Sequence, residues 1–152
     1  MANRYAVAGR TAATAATADN VAAELWNPHG TKSLYVREVW VFATTATSAM
    51  NLGIVRSTAK GTSTLTVTPD ADNAFDRRAV PPSGCTLELT FSAQPTLATP
   101  YLLRAIAPTV IGAGWVWPFP QPIEVVAGTG LCIATPMAVA FPVADATYVW
   151  DE

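Results

Sequence analysis

Hydrophobic and polar residues alternate along several short segments of this chain, and the alternation predicts β-strands. In residues 85–91 (CTLELTF) the odd-numbered positions are apolar and the even-numbered positions are Thr or Glu. In residues 61–69 (GTSTLTVTP) Thr occupies every even-numbered position, and Pro69 ends the segment. Residues 33–43 (SLYVREVWVFA) are apolar on both faces except at Arg37 and Glu38. That pattern indicates a strand between the core and a second covered surface.

The rest of the chain continues in the same way and predicts about ten short strands in a single domain. The further candidate strands are residues 4–10, 21–26, 51–57, 101–107, 123–126, 130–135 and 147–150. Turn sequences such as NPHG (27–30), PPSG (81–84) and AGTG (127–130) separate them. The Ala-rich residues 11–25 have helical propensity, but no Leu or Ile recurs at helical spacing before residue 21, so a loop leading into a strand is predicted. Regularly spaced short strands indicate a β-sandwich or a barrel.

The composition suggests that Thr, Ser and backbone groups form part of the surface and that another subunit covers a further part. Of the 152 residues, 51% are hydrophobic and only 13% are charged, with a net charge of −2, whereas soluble domains average about 25% charged residues. Nucleic acid is not expected as a partner, since phosphate binding needs clustered Lys and Arg. A membrane is not expected either, because no apolar stretch is long enough to span one. The N-terminus lacks a secretory pattern, so synthesis in a cytoplasm is expected.

Residues for nucleophilic or redox chemistry are few. His29 is the sole histidine and lies in the NPHG turn, so the sequence favours an exposed turn residue over a catalytic base. Cys85 and Cys132 both fall in predicted strands, which favours buried, reduced thiols. The carboxylates Glu24, Glu38, Glu88 and Glu124 are candidates for a glycosidase pair, although nothing in their spacing singles out two of them. No enzyme activity, catalytic residue or cofactor is predicted.

A metal site has one candidate location, residues 69–78 (PDADNAFDRR). Asp70, Asp72 and Asp76 supply the clustered oxygens that Ca²⁺ prefers. The segment departs from the EF-hand loop because Phe75 stands where that loop needs Gly. The alternative is a turn whose side chains cap their own backbone, with Arg77 and Arg78 free to form an ion pair with a neighbouring subunit.

Aromatic residues cluster in residues 114–122 (GWVWPFPQP), where Trp115, Trp117 and Phe119 alternate on one side of an extended segment. Such a row can anchor a protein interface, which is the favoured interpretation, or stack on sugar rings. The interleaved prolines keep the segment extended and protect a sheet edge from unwanted pairing. Residues 1–20 form a candidate N-terminal arm, in which Tyr5 and Val7 would contact a neighbour.

Two segments resemble small jelly-roll structural proteins of tailed bacteriophages, such as head decoration (cement) proteins. Residues 24–48 have a short strand, an Asn-Pro-x-Gly turn and a long V-R-x-V-x-V type strand. In residues 120–152 a Gly-Thr-Gly-Leu turn opens a strand, and a final strand ends in acidic residues. Similar hairpins occur in TNF-like trimers and in carbohydrate-binding modules. The resemblance implies an all-β, single-domain jelly-roll sandwich of 8 to 10 strands that is oligomeric and lacks catalytic residues.

The function predicted from this resemblance is that of a bacteriophage virion structural protein, with capsid decoration preferred over a tail position. Its expected partners are further copies of itself, as a homotrimer, and the major capsid protein or other virion proteins. Its expected location is the virion, after assembly in the host cytoplasm. The alternative is a carbohydrate- or receptor-binding jelly-roll module of a phage tail or fibre. Such a module would use the Trp segment as its binding platform.

Overall fold

The structure, a computed structural model, describes residues 3–75, 82 and 84–152. These residues form ten β-strands and one short 3₁₀ helix (Ala71–Asn73). The strands are β1 (Arg4–Arg10), β2 (Asn20–Asn27), β3 (Leu34–Ala43), β4 (Met50–Ala59), β5 (Thr62–Val67), β6 (Thr86–Ala93), β7 (Thr96–Ala107), β8 (Gly114–Val125), β9 (Thr129–Thr135) and β10 (Ala144–Asp151). Within the described ranges there is no helix long and apolar enough to cross a membrane.

The strands form two antiparallel sheets that pack as a sandwich. One sheet has four strands in the order β1-β10-β3-β8, and the other has six in the order β5-β6-β2-β9-β4-β7. The first and last strands of the chain pair along their whole length, with Arg4 opposite Asp151 and Arg10 opposite Asp145. Both ends of the described chain are therefore held in the same sheet.

Strands β4 to β7 form one long, bent ribbon. β4 pairs with β7 and β5 pairs with β6, and the connections at 60–61 and 94–95 are only two residues long. The pairing continues through the bend, because Ala59 lies opposite Thr96 and Thr62 lies opposite Ala93. The two halves of the ribbon add to opposite sides of the β2–β9 pair. The bend consequently crosses the outer surface of that pair and buries it.

The main core lies between the two sheets, and aromatic residues at the chain ends make up much of it. Trp150, Tyr5, Tyr148 and Phe141 are the largest fully buried side chains. The rings of Tyr5 and Trp150 stack with centroids 5.6 Å apart. The buried Tyr148 hydroxyl on β10 donates to the Leu131 carbonyl on β9 at 3.1 Å, which joins the two sheets and satisfies its polar group. Burial of each such side chain contributes about 1.5–3 kcal/mol.

The predicted all-β sandwich is confirmed. Each of the ten predicted segments overlaps one strand, residues 4–10 coincide with β1, and residues 11–19 form the predicted loop before β2. Residues 114–122, predicted as an extended segment that protects a sheet edge, form most of β8, so this strand begins earlier than the predicted 123–126. Prolines are compatible with this strand because it lies at a sheet edge, where one row of N–H groups has no ladder partner.

The prediction that Tyr5 and Val7 of an N-terminal arm contact a neighbouring subunit is wrong. Tyr5 and Val7 are each 1% exposed and belong to the main core of their own chain. Their strand pairs with β10, because its alternating apolar side chains complete the inner face of the four-stranded sheet. In this fold the two side chains are therefore not available to a neighbouring subunit.

Candidate interaction surfaces

The outer face of the four-stranded sheet carries exposed aromatic side chains. Tyr35, Trp40 and Phe42 project from β3 away from the core and are 37% to 41% exposed. The exposed Val116 of β8 lies opposite Trp40. We call the surface formed by Tyr35, Trp40, Phe42 and Val116 the aromatic face. The sequence predicted a second cover over this strand, and in the single chain these side chains remain open to solvent.

A glycine positions one of these rings. A Cβ on Gly114, at the start of β8, would lie 2.7 Å from the Phe42 Cδ1 atom and 1.9 Å from the Val41 carbonyl oxygen. The absence of a side chain therefore lets β8 approach β3 closely beside Phe42.

Ion pairs hold the polar side chains around the aromatic face. The Asp151 carboxylate lies between the guanidinium groups of Arg4 and Arg37, each with an N···O distance of 2.7 Å. The hydrogen bond from Arg4, followed by that from Arg37, lowers the pKa of Asp151 despite its partial burial. Close to the rings, the Trp40 indole N–H donates to the Glu38 carboxylate at 2.8 Å. Side chains fixed in this way lose little conformational entropy when a partner binds.

The predicted aromatic row lies at the edge strand β8 and divides into two parts. Trp117 and Phe119 pack against the main core, whereas Trp115 is 40% exposed. The rings of Trp115 and Trp117 are nearly parallel, with centroids 6.5 Å apart. Trp115 and Trp117 lie opposite Val41 and Val39, which point inward, so the row faces the core side of the sheet. Of the three residues, Trp115 alone presents a large exposed surface.

The candidate metal residues form a backbone cap. Asp70 caps the 3₁₀ helix by accepting from the Asp72 N–H at 2.9 Å, and the Asn73 side chain accepts from the Asp70 N–H at 2.9 Å. Within the described part of the chain, no three acidic, His or Cys side chains are grouped closely enough to hold a metal ion. Asp76, Arg77 and Arg78 lie outside the described residues. The Asp70 side chain thus follows the capping alternative, and Asp72 supplies the backbone N–H that it caps.

Two of the four candidate carboxylates meet in space. Glu24 of β2 lies opposite Glu88 of β6, and both side chains are completely buried beneath the bent ribbon. The Lys60 ammonium contacts Glu88 at 2.6 Å, and Ser63, Thr66 and Thr86 donate hydrogen bonds to the same carboxylate. Burial alone would raise the pKa of Glu88, but these interactions outweigh it and lower the pKa to about 2.

Glu24 is less well compensated than Glu88. Its Oε1 atom accepts from the Ser57 hydroxyl and lies 3.7 Å from the Cys132 Sγ atom, while Oε2 has no hydrogen-bond partner among the described residues. Burial is the main reason that the pKa of Glu24 is raised. Because both carboxylates are sealed from solvent, this pair has the geometry of a structural polar cluster rather than a cleft that could receive a sugar.

The cysteines and the histidine have structural environments. Cys85 and Cys132 are buried and not bonded to each other, as predicted, and burial raises the pKa of Cys85 to about 12. The His29 Nδ1 atom accepts from the backbone N–H groups of Thr31 and Lys32 at 3.1 and 2.9 Å. His29 therefore caps its own turn, in agreement with the turn interpretation.

The pairing of Glu24 with Glu88 and the exposure of Trp40 depend on strand register, which sequence reasoning did not supply. One signal was available for Trp40, since residues 33–43 are apolar on both faces. Comparison of the chain with protein-family models, with curated proteins and with solved structures found no match.

Proposed function

We propose that this chain is a structural protein of a bacteriophage virion, specifically a decoration protein of jelly-roll topology that binds the outside of the head. The proposal begins with the resemblance of residues 24–48 and 120–152 to such proteins. The strands in these two distant segments are neighbours in the fold, since β2 pairs with β9 and β3 pairs with β10. The resemblance therefore concerns the adjoining central strands of both sheets.

The strand order supports the jelly-roll assignment. If the β5–β6 half of the ribbon is set aside, the sheets have the orders β1-β10-β3-β8 and β2-β9-β4-β7. Eight strands that alternate in this way between two four-stranded sheets correspond to two interlocking Greek keys. On this interpretation, β5 and β6 are an insertion between the fourth and fifth strands of the jelly roll, and they widen one sheet.

The single observation that carries the functional proposal is the aromatic face. Trp, Tyr and Arg are the residues most enriched among interface hot spots, and this surface has Trp40, Tyr35, Arg4 and Arg37 close together on rigid strands. When the aromatic face is buried against a shell protein, the binding free energy stabilises the shell at that site, and this stabilisation repeats at every equivalent site of the symmetric shell. Decoration thereby stabilises the head by mass action without chemical catalysis.

The test is co-sedimentation of the purified chain with heads of the encoding phage that lack it. Trp40→Ala and Phe42→Ala are expected to weaken binding at least tenfold, because truncation of a central aromatic anchor costs about 2 kcal/mol or more. Leu65→Ala is the control, since Leu65 is also an exposed apolar residue, at 46%, but lies on β5 of the other sheet. Wild-type chain that stays in the supernatant, or equal loss of binding in all three variants, would contradict the proposal.

A carbohydrate-binding module is the second candidate, and the exposed ring of Trp115 beside the parallel Trp117 favours it. Aromatic rings in such a position can stack on the apolar face of a sugar. A glycan array distinguishes the two functions: binding that is lost in Trp115→Ala and retained in Trp40→Ala supports the carbohydrate module. The reverse dependence, measured on heads, supports decoration.

A further inference from the structure

A second, smaller core lies under the bent ribbon, separate from the main core between the two sheets. Its buried members project from the outer face of the six-stranded sheet, and they are Val21, Val55, Cys132 and Ala134. Partly buried side chains of β6 and β7 pack against them, namely Phe91, Leu97 and Tyr101. We call this cluster the second core. Because it is much smaller than the main core, it is a part of the fold that can open while the rest stays folded.

The carboxyl group of Glu24 lies beside the second core, next to its cysteine. The side chain is completely buried, and the Cys132 Sγ atom lies 3.7 Å from its Oε1 atom. The Ser57 hydroxyl donates to the same oxygen, whereas Oε2 has no partner among the described residues. Ser57 lies opposite Gly130 at the last position where β4 pairs with β9 before the bend. The carboxyl group therefore joins β2 to the point where the ribbon leaves the sheet.

The cations near the bend are engaged with other groups. The Lys60 ammonium, in the bend itself, contacts the Glu88 carboxylate at 2.6 Å. The Arg56 guanidinium, on the residue before Ser57, donates to the Glu124 carbonyl oxygen on the other sheet. An ionised Glu24 would consequently be a buried charge without a positive partner, which is strongly unfavourable.

The other titratable groups around Glu24 do not favour its ionisation. Glu88 on β6 lies opposite Glu24, and its negative charge contributes to the raised pKa of Glu24, of which burial is the main cause. Burial holds the pKa of the Cys132 thiol on β9 and of the Tyr148 hydroxyl on β10 well above their ordinary values. Both groups are therefore uncharged from acid to neutral pH and supply no compensation.

We propose that a proton on Glu24 holds the ribbon closed, and that loss of this proton lets the bend move away from the β2–β9 pair and expose Cys132 while the main core stays folded. The fold thus contains a pH-sensitive conformational device. The inference stands on the buried carboxyl group, the separate second core and the bend, and it does not depend on the proposed function.

The direction of the pH dependence follows from the two states of the carboxyl group. In the open ribbon Glu24 is in water and has its ordinary pKa of 4.5, whereas in the closed ribbon its pKa is raised. Below pH 4.5 both states carry the proton, so opening does not depend on pH. Above pH 4.5 opening releases the proton, and the open population rises by about tenfold per pH unit until the pKa of the closed state is reached. Glu88 does not contribute to this slope, because with a pKa of about 2 it is ionised throughout that range.

The test is the labelling of Cys132 in the full chain with a dipyridyl disulfide, a reagent that reacts with thiols in acid as well as at neutral pH. Division of each rate by the rate for the urea-unfolded chain at the same pH removes the effect of thiol ionisation and gives the opening constant. Peptide mass mapping separates Cys132 from Cys85. The opening constant of Cys132 is expected to rise at least tenfold from pH 4.5 to pH 7.5. At each pH it is also expected to exceed the global unfolding constant, measured by urea titration, at least tenfold.

The variants separate the Glu24 proton from other effects of pH. Glu24→Gln is expected to give an opening constant that does not change with pH, since the amide has nearly the same shape as the protonated carboxyl group and no proton to lose. Glu124→Gln makes the same chemical change at an exposed site on β8 and is expected to retain the wild-type pH dependence. Urea titration checks that both variants fold.

Two results would overturn the inference. If the opening constant of Cys132 equals the global unfolding constant, the ribbon opens only when the whole domain unfolds. If Glu24→Gln shows the same pH dependence as the wild type, the proton on Glu24 is not what holds the ribbon closed. Neither result bears on decoration, because the binding of the chain to heads is measured separately.

Discussion

Replacement of Glu88 by Gln tests whether the buried polar cluster under the ribbon stabilises the fold. The Glu88 carboxylate is completely buried and forms an ion pair with the Lys60 ammonium at 2.6 Å. It also accepts hydrogen bonds from the Thr66 hydroxyl at 2.6 Å and the Thr86 hydroxyl at 2.5 Å. Gln has nearly the same shape as Glu but no charge, and its amide N–H groups would face the hydrogen-bond donors that now point at the carboxylate. The substitution therefore removes the attraction to Lys60 while it leaves the packing almost unchanged.

The expected cost follows from the lowered pKa. A shift from the ordinary value of 4.5 to about 2 corresponds to about 3 kcal/mol of stability near neutral pH, at about 1.4 kcal/mol per pH unit. Lys60 is 39% exposed, so solvent screens part of its attraction, and we expect Glu88→Gln to lower the free energy of unfolding by about 2 kcal/mol. Because the folded pKa is below the unfolded one, this stability is present above pH 4.5 and is lost as the pH falls towards 2.

Urea unfolding of both proteins at pH 7, 5, 3 and 2 measures the difference. It is expected to be largest at pH 7 and 5 and to shrink to near zero at pH 2. Glu124→Gln is the control for the same chemical change at an exposed site, where an effect within about 0.5 kcal/mol is expected. A double-mutant cycle with Lys60→Met reports the pair directly. A difference that stays constant with pH, or a Glu88→Gln variant as stable as the wild type at pH 7, would refute the reasoning.

Three further predictions concern other positions. Glu24→Gln is expected to stabilise the fold increasingly as the pH rises above 4.5, because the raised pKa of Glu24 makes its ionisation unfavourable in the folded chain; urea unfolding at pH 4.5 and 8 measures this, and an unchanged difference contradicts it. Gly114→Ala is expected to lower the free energy of unfolding by about 2 kcal/mol, because its Cβ would overpack against β3 and displace the strand. Gly30→Ala, whose Cβ would meet nothing within 4 Å, is expected to leave thermal unfolding unchanged. Cys85 and Cys132 are expected to react with a thiol reagent only after unfolding, because both are buried and have raised pKa values; rapid labelling of the folded chain would contradict this.

The strands could be predicted from the sequence because their signal is local. Alternation in residues 4–10 and 85–91 reports which side chains face a core, and turn residues mark where each strand ends. The Ala-rich residues 11–19 were separable from a helix because they offer no apolar stripe to bury. β8 was predicted as a strand only at residues 123–126, because the prolines and aromatic residues of 114–122 indicate an extended segment without specifying a ladder partner. Its ladder with β3 across Trp115–Pro118 is a long-range contact.

The strand register and the bend of the ribbon could not be predicted from the sequence, because both depend on long-range contacts. Nothing within residues 50–67 specifies that they bend over the β2–β9 pair, because the bend is defined by partners some forty residues away in the chain. The pairing and burial of Glu24 and Glu88 therefore could not be predicted from the alternation in their own strands, because the bend buries both. The candidate surfaces follow the same rule: the aromatic character of residues 33–43 was visible, but its position on an outer face depends on the whole sheet.

The low charge content is distributed unevenly, and this distribution bears on how each surface selects a partner. Seven charged residues border the outer side of the four-stranded sheet: Arg4, Arg10, Arg37, Glu38, Glu124, Asp145 and Asp151. The connections at one end of the sandwich, residues 11–19, 44–49, 108–113 and 136–143, by contrast, contain Asp19 as their one charged residue, and the exposed Arg104 of β7 borders them. A surface with fixed charges around exposed aromatic rings discriminates among partners by charge pattern, whereas an uncharged surface does so by shape and apolar area. The contrast therefore predicts that the two surfaces would select a partner by different means, the aromatic face by its charge pattern and the connections by shape and apolar area.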